Sequence, residues 1–179
     1  MAKKMWSKVV QDGLYMMQNR HKHCYIYGAK GQYLNSYAQI DALMAAEPKY
    51  FSRYTAEEKE QIKRNSIKKY AWDCSGFTGH CTGDMQYSYG QFVNSHDKTA
   101  HLEQGPAGSI LYTSYGGTGR HIGLDMGFGF VLDMAYESTD ANIAAHKDSV
   151  RLYRRTDNLI PWEWSAQSNV VDYTGAGTY

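Results

Sequence analysis

The sequence predicts an α+β fold in which one central helix packs on an antiparallel β-sheet. After Asp73, the apolar residues Phe77, Cys81 and Met85 recur at four-residue steps, which places them on one helical face. Downstream, residues 109–113, 121–126, 130–136 and 150–154 read as strands, alternating or β-rich and separated by glycine-containing turns. A lone helix ahead of a run of short strands is the signature of an antiparallel sheet with its helices kept to one side. The 179 residues suffice for one domain with a real core, assigned to 1–165, and a C-terminal tail or linker is expected over 166–179.

In chain order, Trp6, Val9, Val10, Leu14 and Met17 form a 3.6-residue stripe, so 3–19 reads as an amphipathic helix. Cys24-Tyr25-Ile26-Tyr27-Gly28 is a short β-prone segment ended by glycine. His23 and Cys24 are adjacent, but no second Cys/His pair stands at finger spacing, so no metal site is expected. Residues 31–70 form a helical insertion. In it, Tyr37, Ile40, Leu43 and Met44 make a stripe broken at Pro48, and Thr55 to Glu58 make a capping box opening a charged, solvated helix. Lys69-Tyr70-Ala71-Trp72 arrives extended, and a helix follows over 73–86. Residues 83–104 look irregular and polar. Gly105-Pro106-Ala107-Gly108 stops the chain before the first long strand, and Gly127-Phe128-Gly129 reads as a three-residue hairpin loop.

The chemistry concentrates at Asp73-Cys74-Ser75-Gly76-Phe77. Asp73 is a good N-cap, and Cys74 falls in the first helical turn, where free N–H groups and the helix dipole favour negative charge. A thiolate there could attack a carbonyl carbon, whereas a cysteine that only packs is the competing reading until a base is found. His121 supplies the candidate. It shares a strand face with Gly123 and Asp125, while Ile122, Leu124 and Met126 face the core. A three-residue hairpin loop would set His121 opposite Ala135, with Asp133 and Glu137 as diagonal neighbours at ~7–8 Å. Either carboxylate could orient the imidazole, and register does not choose between them.

Composition excludes several classes. Hydrophobic residues make up 42% and charged residues 21%, ordinary values for a globular domain. The net charge of +1 argues against a nucleic-acid partner. Sixteen tyrosines and four tryptophans suit a wet cleft or a tyrosine-rich core equally. Cys74 and Cys81 lie about 10 Å apart along a helix, too far to pair, so reduced thiols are expected at Cys24, Cys74 and Cys81. The start has charge but no apolar stretch after it, and no run reaches transmembrane length. A soluble monomer without a signal peptide, a cofactor or membrane insertion is the expectation.

Asp73-Cys74-Ser75-Gly76-Phe77, then Arg120-His121-Ile122-Gly123-Leu124, then Val131-Leu132-Asp133 resembles the NlpC family of papain-like cell-wall peptidases. That family carries an Asp-Cys-Ser-Gly nucleophile, a His-hydrophobic-Gly base, and a third polar residue, usually histidine, twelve positions later. Here that position is Asp133. Tyr25-Ile26-Tyr27-Gly28 is similar to the family's Tyr-x-Trp-Gly element, and 105–109 to its Pro-Gly-Asp turn, while the insertion at 31–70 is a departure. The resemblance implies a papain-like fold, catalysis by Cys74, His121 and Asp133, and hydrolysis of amide bonds in peptidoglycan stem peptides, such as the D-glutamyl–diamino acid bond. It implies substrate contacts at Tyr25, Asp73 and Arg120, with Tyr25 and Asp73 holding a free amine; Tyr70, Trp72 and Tyr115 are further candidates for the cleft's rim. Action at the bacterial cell wall follows, as a phage lysin or a secreted hydrolase. The alternatives are an amidase or acyltransferase acting on another amide on the same scaffold, and an inactive cell-wall-binding module.

Overall fold

Helices gather at one end of the chain and the long strands at the other, and the cysteine at 74 stands where they meet. The computed structural model describes residues 2–115, 120–135 and 150–177. The N-terminal part comprises β1 (Lys4–Met5), α1 (Trp6–Gln18), β2 (His23–Tyr25) and β3 (Lys30–Tyr33). The insertion's helices follow: α2 (Tyr37–Ala46), α3 (Pro48–Phe51) and α4 (Ala56–Ser66). Next come β4 (Tyr70–Trp72), α5 (Cys74–Thr82), α6 (Ser88–Val93) and β5 (His96–Thr99). The C-terminal strands are β6 (Ile110–Thr113), β7 (His121–Gly127), β8 (Phe130–Met134), β9 (Val150–Arg154), β10 (Trp164–Gln167) and β11 (Val171–Asp172).

The principal sheet has six strands in the order β5-β10-β6-β7-β8-β9, and every neighbouring pair is antiparallel. The fold class is thus the expected mixture of helices with an antiparallel sheet. The parallel pairs lie outside that sheet, between β1 and β11 and between β2 and β4. One sheet face buries Ile122, Leu124, Leu132 and Met134 against Val9 and Met16 of α1 and Phe77 and Cys81 of α5. The other face carries Leu111, Val131 and Tyr153 beneath Trp162. Fully burying a side chain such as Phe77 or Leu132 contributes about 1.5–3 kcal/mol, so this two-sided packing fixes the central strands rigidly.

Four expectations need correction. The helix opening at Cys74 ends at Thr82, with Gly83 left-handed at φ 94°, and Met85 beyond it is 49% exposed. The insertion is not wholly helical, because Lys30–Tyr33 pairs antiparallel with β4, while α2, α3 and α4 enclose a separate core around Ile40, Met44, Phe51 and Ile62. Residues 83–104, expected to be irregular, contain α6 and the edge strand β5. Neither has an apolar stripe; α6 is fixed by buried Gln91, which donates to the Ser75 and Gln86 carbonyls at 2.8 and 2.7 Å. Finally, the described part of the expected tail, 166–177, is not free. Ala166 pairs within the sheet, Val171 is 1% exposed, and the Tyr173 hydroxyl donates to the Gly108 carbonyl at 3.0 Å.

Candidate active site

The β4–α5 junction is built around a carboxylate. Asp73 caps α5 by accepting the Gly76 N–H at 2.6 Å and the Ser75 hydroxyl at 2.9 Å. Its other oxygen accepts the Gly28 N–H at 3.1 Å. Lys30 then closes the group, donating from Nζ to both oxygens at 2.9 and 3.0 Å and also to the Ser75 hydroxyl. Cys74 is consequently held as the first residue of α5, and its side chain lines a cleft of about 870 Å³.

His121 opens β7, opposite Thr113 of β6, and lines the same cleft. Its imidazole lies beside the Cys74 side chain on one side, and both face the same cleft. On the other, Nε2 meets Asp133 Oδ2 at 2.8 Å. Burial alone would push His121 down. The interactions with Asp133 and Cys74 outweigh it and hold the imidazole up at about 9. Near neutral pH the ring is therefore a cation, with Nε2–H donating to Asp133.

Asp133 is fully buried, and burial by itself would raise its carboxyl. Its hydrogen bonds to His121 and Arg151 instead hold it below the usual carboxylate range. Arg151 grips it with two prongs, Nε to Oδ1 at 2.8 Å and Nη2 to Oδ2 at 2.5 Å. The Tyr153 hydroxyl donates to Oδ2 at 3.4 Å and accepts from Trp162 Nε1 at 3.2 Å. Trp162 also stacks on the imidazole, with ring centroids 5.4 Å apart and planes 23° from parallel. Gly123 makes room for this assembly. A Cβ there would come within 3.0 Å of Trp162 Cη2 and 3.1 Å of Asp133 Cβ.

The structure thus brings Cys74, His121 and Asp133 together. The strand register is also the expected one, Gly123 opposite Asp133, although the loop is shorter than expected: Gly127 pairs with Phe130 and Met126 is displaced in a bulge. Tyr25, Asp73, Arg120 and Tyr115 all line the cleft. Asp73, however, already holds an internal ammonium group from Lys30, so an incoming amine would have to displace or share it. Trp72 does not reach the rim; it is buried and donates from Nε1 to His23 Nδ1 at 3.2 Å. Tyr70 packs on Tyr33, away from the cleft. Glu137 lies outside the described residues.

Sequence reasoning missed Lys30, Arg151, Tyr153 and Trp162. Arg151 and Tyr153 alternate on β9 and sit opposite Asp133 and Val131, but that pairing cannot be drawn from sequence across the long 136–149 segment. The remaining thiols differ from Cys74 in their surroundings. Burial pushes Cys24 up to about 11 and Cys81 up to about 12.

Chemically, a cysteine that has passed its proton to a neighbouring imidazole braced by a buried carboxylate can attack an electrophilic carbonyl as the thiolate, and the imidazolium can then protonate the leaving group. Among the described residues, no cluster of three or more His, Cys, Asp or Glu side chains could hold a metal ion, and no helix is long and apolar enough to cross a membrane. Comparison with family models, curated proteins and solved structures gives no match to this chain.

Proposed function

We propose that the fold is papain-like and that the protein is a cysteine peptidase acting on amide bonds of peptidoglycan stem peptides. The observation that carries the enzymatic reading is the Cys74–His121–Asp133 array opening into the 870 Å³ cleft. The substrate class rests on the resemblance of the Asp-Cys-Ser-Gly and His-Ile-Gly segments to NlpC peptidases.

In this reading Cys74, its proton carried by His121, attacks the amide carbonyl carbon as the thiolate, and the resulting oxyanion is stabilised by free N–H groups at the start of α5. His121 gives its proton to the departing amine, leaving a thioester on Cys74. The neutral imidazole then takes a proton from water as the water attacks the thioester. The acid is released and His121 is protonated again. Asp133 keeps Nε2–H directed away from Cys74 and supports the cation. The cell wall as place of action follows from the substrate.

Mass spectrometry of purified peptidoglycan treated with the protein tests the proposal. New termini within the stem peptide, formed by wild type and not by Cys74→Ala, are expected. Intact muropeptides after exhaustive wild-type treatment would refute the substrate assignment. Products joined to an added amine instead of water would establish acyl transfer.

A further inference from the structure

The cleft's electrostatics are unusual in what is paired and what is not. Lys30 is neutralised by Asp73. Arg53 and Arg120 also line the cleft, and among the described residues neither has a carboxylate within salt-bridge distance. Each guanidinium is laid on an aromatic ring instead: Arg53 sits 3.8 Å from the Tyr50 ring centroid, and Arg120 sits 4.2 Å from that of Tyr89.

Arg53 is the more constrained of the two. The face of Tyr50 stacks on Tyr27 with centroids 4.1 Å apart and planes 8° from parallel. Nη2 of Arg53 donates to the Tyr54 hydroxyl at 3.2 Å. The cation–π contact and the hydrogen bond to Tyr54 orient the fork, and a guanidinium has five N–H donors, more than these contacts use. Tyr50, Arg53 and Tyr54 all belong to the insertion; Tyr50 and Tyr54 pack on its core, and Tyr50 also packs on the core beneath Cys74. Glu47 lines the same cleft but makes no salt bridge with Arg53, and a guanidinium so oriented is matched by a planar anion that accepts two parallel N–H bonds.

We infer that Arg53 is a specificity-determining residue that binds a carboxylate of the substrate, so that the cleft selects an anionic peptide and does not depend on a free amine at Asp73. This rests on the proposed amide substrate for its choice of peptide, but the binding claim stands or falls separately. The insertion would then serve to carry this carboxylate clamp to the nucleophile.

The test uses the tripeptide L-Ala-γ-D-Glu-L-Lys, acetylated at its N-terminus, with the glutamyl α-carboxylate either free or converted to the amide. Affinity is measured by calorimetry on Cys74→Ala and on Cys74→Ala/Arg53→Gln, and hydrolysis on wild type and Arg53→Gln. The free acid should bind Cys74→Ala about ten-fold more tightly than the amide, the equivalent of one charge-assisted pair. Arg53→Gln should erase that preference, raising KM for the acid with little change in kcat, while Arg53→Lys should keep part of it. Equal binding of acid and amide, no binding of either, or a preference that survives Arg53→Gln would overturn the inference. Discriminating binding without wild-type hydrolysis would uphold it and refute the peptidase reading alone.

Discussion

Replacing Asp133 by asparagine probes the array at its most buried point. Asp133 Oδ2 serves three donors, His121 Nε2, Arg151 Nη2 and the Tyr153 hydroxyl, while Oδ1 serves Arg151 Nε. The amide oxygen of asparagine would therefore take the Oδ2 place, and its NH2 group would face Arg151 Nε–H. His121 keeps its acceptor and its tautomer in that arrangement, and the loss falls on charge. The rise of His121 from 6.5 to about 9 corresponds to about 3 kcal/mol, shared by the interactions with Asp133 and Cys74. Removing the carboxylate should lower the imidazole by about one to two pH units and the rate by about ten- to a hundred-fold. Proton NMR of the His121 ring across pH 5–11 reads the first effect without any substrate, and the alkaline limb of kcat/KM reads it again during turnover. An imidazole that still titrates near 9 in Asp133→Asn would refute the assignment of Asp133 as its support. A larger rate loss from Glu137→Gln than from Asp133→Asn would show that Glu137, not Asp133, supports the imidazole.

Cys74→Ala should abolish turnover and change thermal stability little, because the thiol sits at the cleft wall. His121→Ala should abolish turnover too, but with a stability cost, since it strips Asp133 of a donor and Trp162 of its stacking partner. Part of that cost has a defined pH dependence: a histidine raised on folding contributes its charge-linked stability fully below 6.5 and loses it as pH rises through about 9, so the gap between the chemical-denaturation curves of the two proteins should narrow in alkali. In the folded protein iodoacetamide should label Cys74 alone, and Cys24→Ser and Cys81→Ser should retain activity, as peptide mapping and rate measurements would report. Gly123→Ala should cost about 1–3 kcal/mol by overpacking and slow turnover by displacing Trp162 and Asp133, and an alanine variant with wild-type kinetics would contradict the tight fit described for that position.

Those residues also explain what the sequence made legible. The helix start at Cys74 was readable because an N-cap, a glycine and an apolar stripe coincide within a few residues. The His121–Asp133 relation was readable because a hairpin fixes register locally, and it survived an error in loop length: the bulge at Met126 compensates for the shorter turn, leaving Gly123 opposite Asp133. Arg151 and Trp162 were not readable. Arg151 reaches Asp133 through a long connection and Trp162 reaches His121 through an irregular segment after β9, and no local pattern announces which strand face either will cover. The strand at His96–Thr99 was missed for a different reason. It is an edge strand with polar residues throughout, stabilised by backbone pairing to β10, so it leaves no hydrophobic trace.

Asp73 shows why a matching motif and a matching role are separate matters. The motif places an aspartate beside the cysteine, and the structure gives that aspartate four donors: two backbone N–H groups, a hydroxyl and the Lys30 ammonium. Each stabilises the capped turn that presents Cys74, so Asp73 is accounted for by local structure before any ligand arrives. A partly buried ion pair of this kind resists losing one member, because the other is then left uncompensated. Lys30→Met should therefore expose the difference between the two roles. If Asp73 is chiefly a cap, the variant loses stability and gains no affinity for peptides with a free N-terminal amine. If Lys30 is a stand-in for a substrate amine, the variant should bind the free-amine form of Ala-γ-D-Glu-Lys more tightly than its acetylated form, and a calorimetric comparison of the two peptides decides. The Lys30 contacts to both carboxylate oxygens and to Ser75 favour the first outcome, since they tie β3 to α5 irrespective of what the cleft contains.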